Sequence, residues 1–234
     1  MLKVERWICR MTKLELKNIS KIFDIKGRRG KEPPLKVQAL EDICLRIEER
    51  EFVVLMGASG SGKSTLLRIV AGLEEQTKGQ VLLDGRPADR LAPGQRNLSF
   101  VFQEYALYPQ RTAFENMAFP LLNLGVKKER AREMVMETAG LLGIEYLLNR
   151  RPKQMSWGQR QRIALGRAVC RRPGILLLDE PLSGADEALR RELIPVLKEL
   201  HRNLDLTCLY VTHNQQEADA LGDRILYLEE GKLA

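Results

Sequence analysis

At 234 residues the chain is long enough for one large domain or two small ones around a sizeable core. Hydrophobic residues at 44% and charged residues at 29% are the proportions of a soluble globular protein, and no apolar run approaches the roughly 18 to 20 residues that span a bilayer. The net charge of +7 suggests acidic partners, whether nucleotide, membrane surface or nucleic acid, without choosing among them. Cys9, Cys44, Cys170 and Cys208 are scattered with no C-x-x-C pair. They read as isolated, mostly buried thiols in a reducing compartment, with neither a zinc site nor a disulfide framework. The start, Met1 to Trp7, has an early acidic residue and no signal-peptide core, so the expected location is the cytoplasm, with any membrane role coming through a partner.

In chain order, Leu14 to Ile19 alternates apolar and polar residues as a half-buried strand does, with Ile22-Phe23 available to continue that edge. Asp24 to Lys36 gathers Gly27, Gly30, Pro33 and Pro34 among basic residues and predicts an exposed turn or loop. Gln38 to Ile47 returns to strand alternation, and Glu51 to Met56 reads as a buried strand. Then comes Gly57-Ala58-Ser59-Gly60-Ser61-Gly62-Lys63-Ser64-Thr65, which satisfies the phosphate-loop pattern G-x-x-x-x-G-K-S/T. Its glycines let backbone N–H groups converge on phosphate oxygens without Cβ interference. Lys63 supplies a point charge to the β/γ-phosphates and Ser64 a hydroxyl to Mg²⁺. Leu66 to Ala71 reads as a helix whose N-terminus faces the phosphates. A flexible Gly/Ser linker does not explain two apolar, ordered flanks. The stretch reads as a nucleoside triphosphate site.

Further strands are expected at Gln80 to Gly85 and Leu98 to Phe102. From about Ala113 to Cys170 the pattern turns helical, with a helix over Lys127 to Leu142 and another N-capped by Ser156 and stopped by Pro173. Strand character returns at Ile175 to Leu178. A helix over Glu187 to Arg202 is expected to kink at Pro195, and a strand at Leu206 to Thr212, a helix at Gln215 to Leu221 and a strand at Ile225 to Glu229 follow. Alternating strands and helices with fully apolar strands predict a mainly parallel sheet covered on both faces. Ile175 to Leu178 ends in Asp179-Glu180. In a parallel sheet, ligands bind beyond the carboxyl ends of strands, so Asp179 falls near Mg²⁺ and Glu180 near an attacking water.

With these residues placed, the chain resembles the ATP-binding subunits of ATP-binding cassette transporters from about Thr12 to Ala234. The motifs stand in the family's order: the phosphate loop, Gln103 directly after Phe100-Val101-Phe102, Met155-Ser156-Trp157-Gly158-Gln159 in place of the signature L-S-G-G-Q, the strand ending at Asp179-Glu180, Leu182 to Asp186 as the D-loop, and His213 as the switch histidine. The resemblance implies an α/β fold with a P-loop NTPase core of mainly parallel sheet, an N-terminal antiparallel β subdomain and an inserted α-helical subdomain. It implies one domain over 12–234, with 12–102 and 171–234 as core and β subdomain and 103–170 as the helical signature subdomain. It implies ATP and Mg²⁺ as ligands, with Phe23 against adenine, and Gly57, Ser59, Gly60, Ser61, Gly62, Lys63, Ser64 and Thr65 around the phosphates. Ser64, Gln103 and Asp179 then serve the metal, and Glu180, Gln103 and His213 the hydrolysis. Ser156, Gly158, Gln159 and Asp186 act across a dimer of cassettes, where a signature segment docks on the γ-phosphate held by the other subunit. Taken alone, Phe23 reads equally as a strand-core aromatic, Gln103 as a strand-end polar residue and His213 as a structural histidine; their order sets them apart.

Trp157 replaces the first signature glycine, Met155 the leucine, and Ala185 the usual leucine beside Asp186. An indole there either obstructs the approach to phosphate or packs against the partner subunit, and ATPase activity is expected to survive. Glu104 to Pro109 and Phe114 to Phe119 resemble both sugar-type and nitrate/sulfonate/taurine-type importer ATPases. Glu51 to Pro87 leans to the second type. Sugar-type proteins usually carry a further regulatory domain, whereas this chain stops at Ala234, which tilts the expectation to small anions or organic solutes. The implied partners are permease subunits, an identical or paired ATPase subunit and a solute-binding protein, with the chain peripheral on the cytoplasmic membrane face. The rival is a soluble cassette ATPase acting on nucleic acid or ribosomes. Its known forms bring long coiled coils, zinc cysteines or tandem cassettes, which this sequence lacks, so no direct nucleic-acid contact is expected. A nucleotide kinase does not explain Ser156 to Gln159 or His213.

Overall fold

The computed structural model describes residues 11–25 and 35–234. Two long strands, β1 (Thr12–Ile25) and β2 (Leu35–Glu48), pair antiparallel, followed by β3 (Phe52–Met56), α1 (Lys63–Ala71), β4 (Lys78–Leu83), β5 (Arg86–Pro87) and β6 (Leu98–Val101). Three helices come next: α2 (Ala113–Asn123), α3 (Lys128–Leu142) and α4 (Trp157–Val169). The chain then runs through β7 (Ile175–Asp179), α5 (Glu187–Asn203), β8 (Thr207–Thr212), α6 (Gln215–Leu221), β9 (Arg224–Glu229) and β10 (Lys232–Leu233). Among the described residues the strands form two sheets, an antiparallel one in the order β2-β1-β4-β5 and a larger one in the order β10-β9-β3-β8-β7-β6. All neighbours in the larger sheet run parallel except β9 and β10.

The predicted loop over Asp24 to Lys36 lies mostly outside the described residues. At its margins Asp24 and Ile25 belong to β1, and Leu35 and Lys36 to β2, paired in register. Their backbone groups pair across the ladder, whereas the glycines, prolines and charges of the stretch as a whole have the composition of a loop. Pro195 lies inside α5 without ending it. Of the cysteines within the described residues, Cys170 and Cys208 are buried, and Cys44 faces outward from β2.

The central strands are apolar on both faces because each face closes a different core. Val53 and Leu55, Leu209 and Val211, and Ile175 and Leu177 join α1 and the antiparallel sheet. The alternate residues Phe52, Val54, Met56, Cys208, Tyr210, Leu176 and Leu178 join the faces of α2, α3, α4 and α5. A period of two therefore divides every strand between two hydrophobic masses. No helix among the described residues is long and apolar enough to cross a membrane.

The helix after the phosphate loop is fixed at its far end. Gly72 takes φ 73° and its amide closes on Ile69 O, the left-handed turn that glycine adopts without strain. Buried Arg96 packs over that glycine and donates from Nη1 to Ile69 O and Val70 O at 2.9 and 3.0 Å, and from Nε to Leu91 O at 3.1 Å. Its guanidinium thus satisfies carbonyls that a helix end leaves open and places a cation at the negative end of the helix. Arg96→Met should lower stability by about 3 kcal/mol, because the Val70 and Leu91 carbonyls lose the Arg96 donor and Ile69 O keeps only the Gly72 amide. A urea midpoint equal to that of the parent chain would refute this role.

Candidate functional site

Four adjacent parallel strands, β3, β8, β7 and β6, end at the same edge of the larger sheet. Their continuations are the phosphate loop, His213, Asp179-Glu180 and Gln103. Residues separated by up to 156 positions in the chain, Met56 to Thr212 in register, are thereby delivered to one edge.

The phosphate loop wraps tightly. A Cβ on Gly57 would meet Leu228 O at 2.3 Å and Ser61 Oγ at 2.7 Å, and one on Gly62, which has φ 106°, would meet Ala39 O at 2.4 Å. Gly60 faces open space at φ 82°, and Ser59 is exposed. The buried Ser61 Oγ has no hydrogen-bond partner. Lys63 is buried and donates from Nζ to Gly57 O and Ala58 O, both at 2.8 Å, bridging the loop from inside. Thr65 follows in the first turn of α1. A glycine-lined cradle at a helix N-terminus, with an ammonium group and an orphaned hydroxyl inside, fits a phosphate chain.

Ser64 Oγ donates to Asp179 Oδ1 at 2.8 Å. Burial pushes the Asp179 carboxyl above the ordinary range, the Ser64 hydrogen bond opposes that, and the neighbouring Glu180 adds to it. A buried carboxylate beside a hydroxyl supplies hard oxygen donors of the kind Mg²⁺ takes, the rest of its shell coming from phosphate and water. Glu180 sits at φ 44°, a conformation uncommon for a side chain of its size, held by its amide donating to Val211 O at 3.0 Å. Its Oε1 lies 3.8 Å from Lys63 Nζ and its Oε2 3.1 Å from His213 Nδ1. One carboxylate thus joins the phosphate-loop lysine to the exposed switch histidine. Gln103 is exposed, with Nε2 3.4 Å from Ser183 Oγ, so it reaches the D-loop and not the acid pair directly.

Ser156 caps α4 as expected. Its Oγ accepts from Gln159 N at 3.3 Å while Gln159 Oε1 accepts from Ser156 N at 3.0 Å. Asp186 caps α5 through Leu189 N at 2.8 Å. Gly158 is buried against Leu189. None of the side-chain hydrogen bonds described for Ser156, Gln159 or Asp186 reaches the phosphate loop of the same chain. Phe23, half-buried, pairs across to Val37 and carries the Lys21 ammonium 4.7 Å from its ring centre. Trp157 is half-buried. Its indole meets Tyr105 edge-on, with ring centres 5.4 Å apart, and rests on Gly184.

One group of residues went unrecognised in the sequence. Behind His213, the buried Glu217 accepts from Tyr210 Oη at 2.8 Å and Thr212 Oγ1 at 2.6 Å, and its Oε1 lies 2.9 Å from Arg190 Nε. Arg190 also donates to Ala185 O at 2.9 Å. The network ties the turn before Asp186 to the strand that carries His213. Burial, with the adjacent Glu217 charge, holds the Tyr210 phenol well above its ordinary value, so it stays a donor. The available signal was Glu217 at the third position of a helix four residues after His213, which reads as an ordinary capping acid.

The strand–glycine loop–helix cradle, the acid pair and the parallel order define a P-loop NTPase. A model of the family described as ABC transporter matches residues 40–183, and the chain belongs to that family. Among similar proteins, the sn-glycerol-3-phosphate import ATP-binding protein UgpC of Chromobacterium violaceum is 45% identical over 223 residues, covering 95% of this chain and 58% of its own length. The sulfoquinovosyl glycerol transport ATP-binding protein SmoE of Agrobacterium fabrum is 49% identical over 197 residues, 84% of this chain and 55% of its own. The dimeric structure of MJ0796, described as a bacterial ABC transporter cassette, superposes with a TM-score of 0.80 at 33% identity, covering 94% of this chain and 97% of that one. The chain spans little more than half the length of these curated relatives.

Two outcomes follow from the electrostatics. A raised Asp179 pKa means the folded chain holds that proton more tightly than the unfolded one, so its stability falls as pH rises from the ordinary carboxylate range through the folded value. Nucleotide-free Asp179→Asn should therefore be more stable than the parent at pH 7, with the gap closing under acid; equal urea midpoints at pH 7 would contradict this. Glu217→Ala should cost about 3 kcal/mol by stranding Arg190, and Glu217→Ala with Arg190→Met should recover most of it. No recovery in the double variant would show that the pair is not the source of the loss.

Proposed function

We propose that this chain is the ATP-binding and ATP-hydrolysing subunit of an ABC importer, which dimerises on MgATP to drive solute transport through a membrane permease. The observation that carries this reading is the continuous contact from Lys63 to Glu180 to His213, beside the Ser64–Asp179 pair, at one sheet edge. Residues 12–234 act as one ATPase domain, with 103–170 as its helical part. Phe23 packs on adenine. Gly57, Ser59, Gly60, Ser61, Gly62, Lys63, Ser64 and Thr65 surround the phosphates, with Lys63 exchanging its two carbonyl bonds for phosphate oxygens. Ser64 and Asp179, with Gln103, would hold Mg²⁺, which when bound would offset phosphate charge.

Glu180 accepts a proton from water, and the water oxygen bonds to the γ-phosphorus as the bond to the bridging oxygen breaks, leaving ADP and inorganic phosphate. His213 orients Glu180 and the water. Ser156, Gly158, Gln159 and Asp186 have no role inside their own phosphate loop and serve the nucleotide of a second cassette, identical or paired. The exposed start of α4, capped by Ser156, supports this reading, because a helix N-terminus favours an anion.

The further partners in this reading are the permease subunits and a solute-binding protein, and the chain sits peripherally on the cytoplasmic face of the cell membrane. The names of the relatives favour glycerol-containing solutes over nitrate or taurine. Such solutes fall within the expectation of small anions or organic solutes, though the part of that expectation that rests on the chain ending at Ala234 carries no weight when the relatives are so much longer.

The test is the solution mass of Glu180→Gln with and without MgATP. A dimer should form only with MgATP, and adding Lys63→Ala should abolish both nucleotide binding and the dimer. A Glu180→Gln chain that binds MgATP yet stays monomeric would overturn the shared site.

A further inference from the structure

Trp157 stands where the resemblance calls for glycine, and the structure gives its indole a definite seat. The ring meets Tyr105 edge-to-face, with centres 5.4 Å apart and planes at 80°. Its Nε1, Cε2 and Cζ2 lie 2.8, 3.2 and 3.2 Å from where a Cβ on Gly184 would stand, so the indole edge lies directly on that backbone. Gly158, the next residue of α4, is seated on the same segment, because a Cβ there would fall 2.7 Å from Leu189 Cδ1. Tyr105 is tied to α4 independently, since Arg167 donates to the carbonyls of Tyr105 and Ala106 at 2.9 and 2.6 Å. Gln103 reaches the same turn through Ser183 at 3.4 Å.

Three segments therefore meet at one side chain: the loop after Gln103, the start of α4, and the turn that leads to Asp186. We propose that Trp157 is a positioning residue which locks these three segments into one body, so that Ser156 and Asp186 keep a fixed relation and move together with the Gln103 loop. A glycine at this position would remove the indole that bridges the loop and the turn, leaving the Gln103–Ser183 hydrogen bond between them. An indole supplies a rigid apolar surface to both sides at the entropic cost of two side-chain torsions. Gly184 is then required for space, since any side chain there displaces the indole. The indole is seated on Tyr105 and Gly184 of its own chain, a contact that the sequence expectations of phosphate obstruction or packing on a partner subunit did not include.

The consequence for dimerisation rests on the ATPase reading above, but the lock itself is testable without nucleotide. Hydrogen exchange on the nucleotide-free chain should show Trp157→Gly accelerating amides about tenfold both in residues 103–108 and in residues 184–189, with Trp157→Phe restoring most of the protection. Gly184→Ala should loosen residues 103–108 in the same way, and the double variant Trp157→Gly with Gly184→Ala should be no looser than either single one, because both remove the same contact. Acceleration confined to the first turn of α4, or additive effects in the double variant, would overturn the proposal. Should Trp157→Gly fail to fold, Trp157→Phe and Gly184→Ala decide the question by the same readout.

In a Glu180→Gln background, Trp157→Gly should raise the MgATP concentration for half-maximal dimer about tenfold while leaving nucleotide binding to the monomer unchanged. An unchanged midpoint, with dimers forming, would remove the dimerisation role. No dimer in either background would instead count against the ATPase reading, with the exchange result still deciding the lock.

Discussion

The site is organised around a carboxylate that folding makes costly to ionise. All five residues of β7 are buried, and the last is Asp179, whose carboxyl is driven above its ordinary range by that burial and eased first by the Ser64 hydroxyl and then by the charges of Arg68 and Lys63. No lysine or arginine is seated against Asp179 at ion-pair distance among the described residues. Lys63 is turned away to the Gly57 and Ala58 carbonyls, and its nearest acid is Glu180, at 3.8 Å. The two acids at the strand tip are thus separated by environment: Asp179 is buried beside a hydroxyl, and Glu180 stands further out between a lysine and a histidine. Neighbouring carboxylates acquire different work when their surroundings differ in this way.

That separation depends on the sheet. β8 lies between β3 and β7, so the histidine that follows β8 emerges between the phosphate loop and the acid pair. The strands are packed between two cores on opposite faces. One presses α1 and the antiparallel sheet against β3, and the other binds the helical residues 113–169 and α5 to the same strands. Leu228, in the strand on the far side of β3, provides the carbonyl that forbids a side chain on Gly57. The tightness of the phosphate loop is therefore a property of the sheet as much as of the glycines.

Much of this was legible in the sequence where the signal is local. The phosphate loop, the apolar run ending in two acids, and the Ser156 cap with Gln159 three residues on are short-range patterns with one physical meaning each. The margins of β1 and β2 were misread because the glycines, prolines and charges of the stretch as a whole have the composition of a loop. The Arg190–Glu217 pair was invisible because its partners are 27 residues apart and each is an ordinary helix residue until the fold buries them. The direction of Trp157 was equally beyond reach, since it depends on where Gly184 and Tyr105 come to rest.

Trp157 and the Arg190–Glu217 pair act on the same segment from opposite sides. Trp157 lies on Gly184, and Arg190 grips the carbonyl of Ala185 while paired with an acid that also holds the strand of His213. The turn before Asp186 is thus clamped between the start of α4 and the root of the switch histidine. Leu182 and Ala185 are buried while Ser183, Gly184 and Asp186 remain exposed, so the turn presents its polar atoms outward from an anchored base. A segment held in this way has little freedom to adjust by itself. Packed atoms thus run from the Gln103 loop and from the strand before His213 to the turn that leads into Asp186.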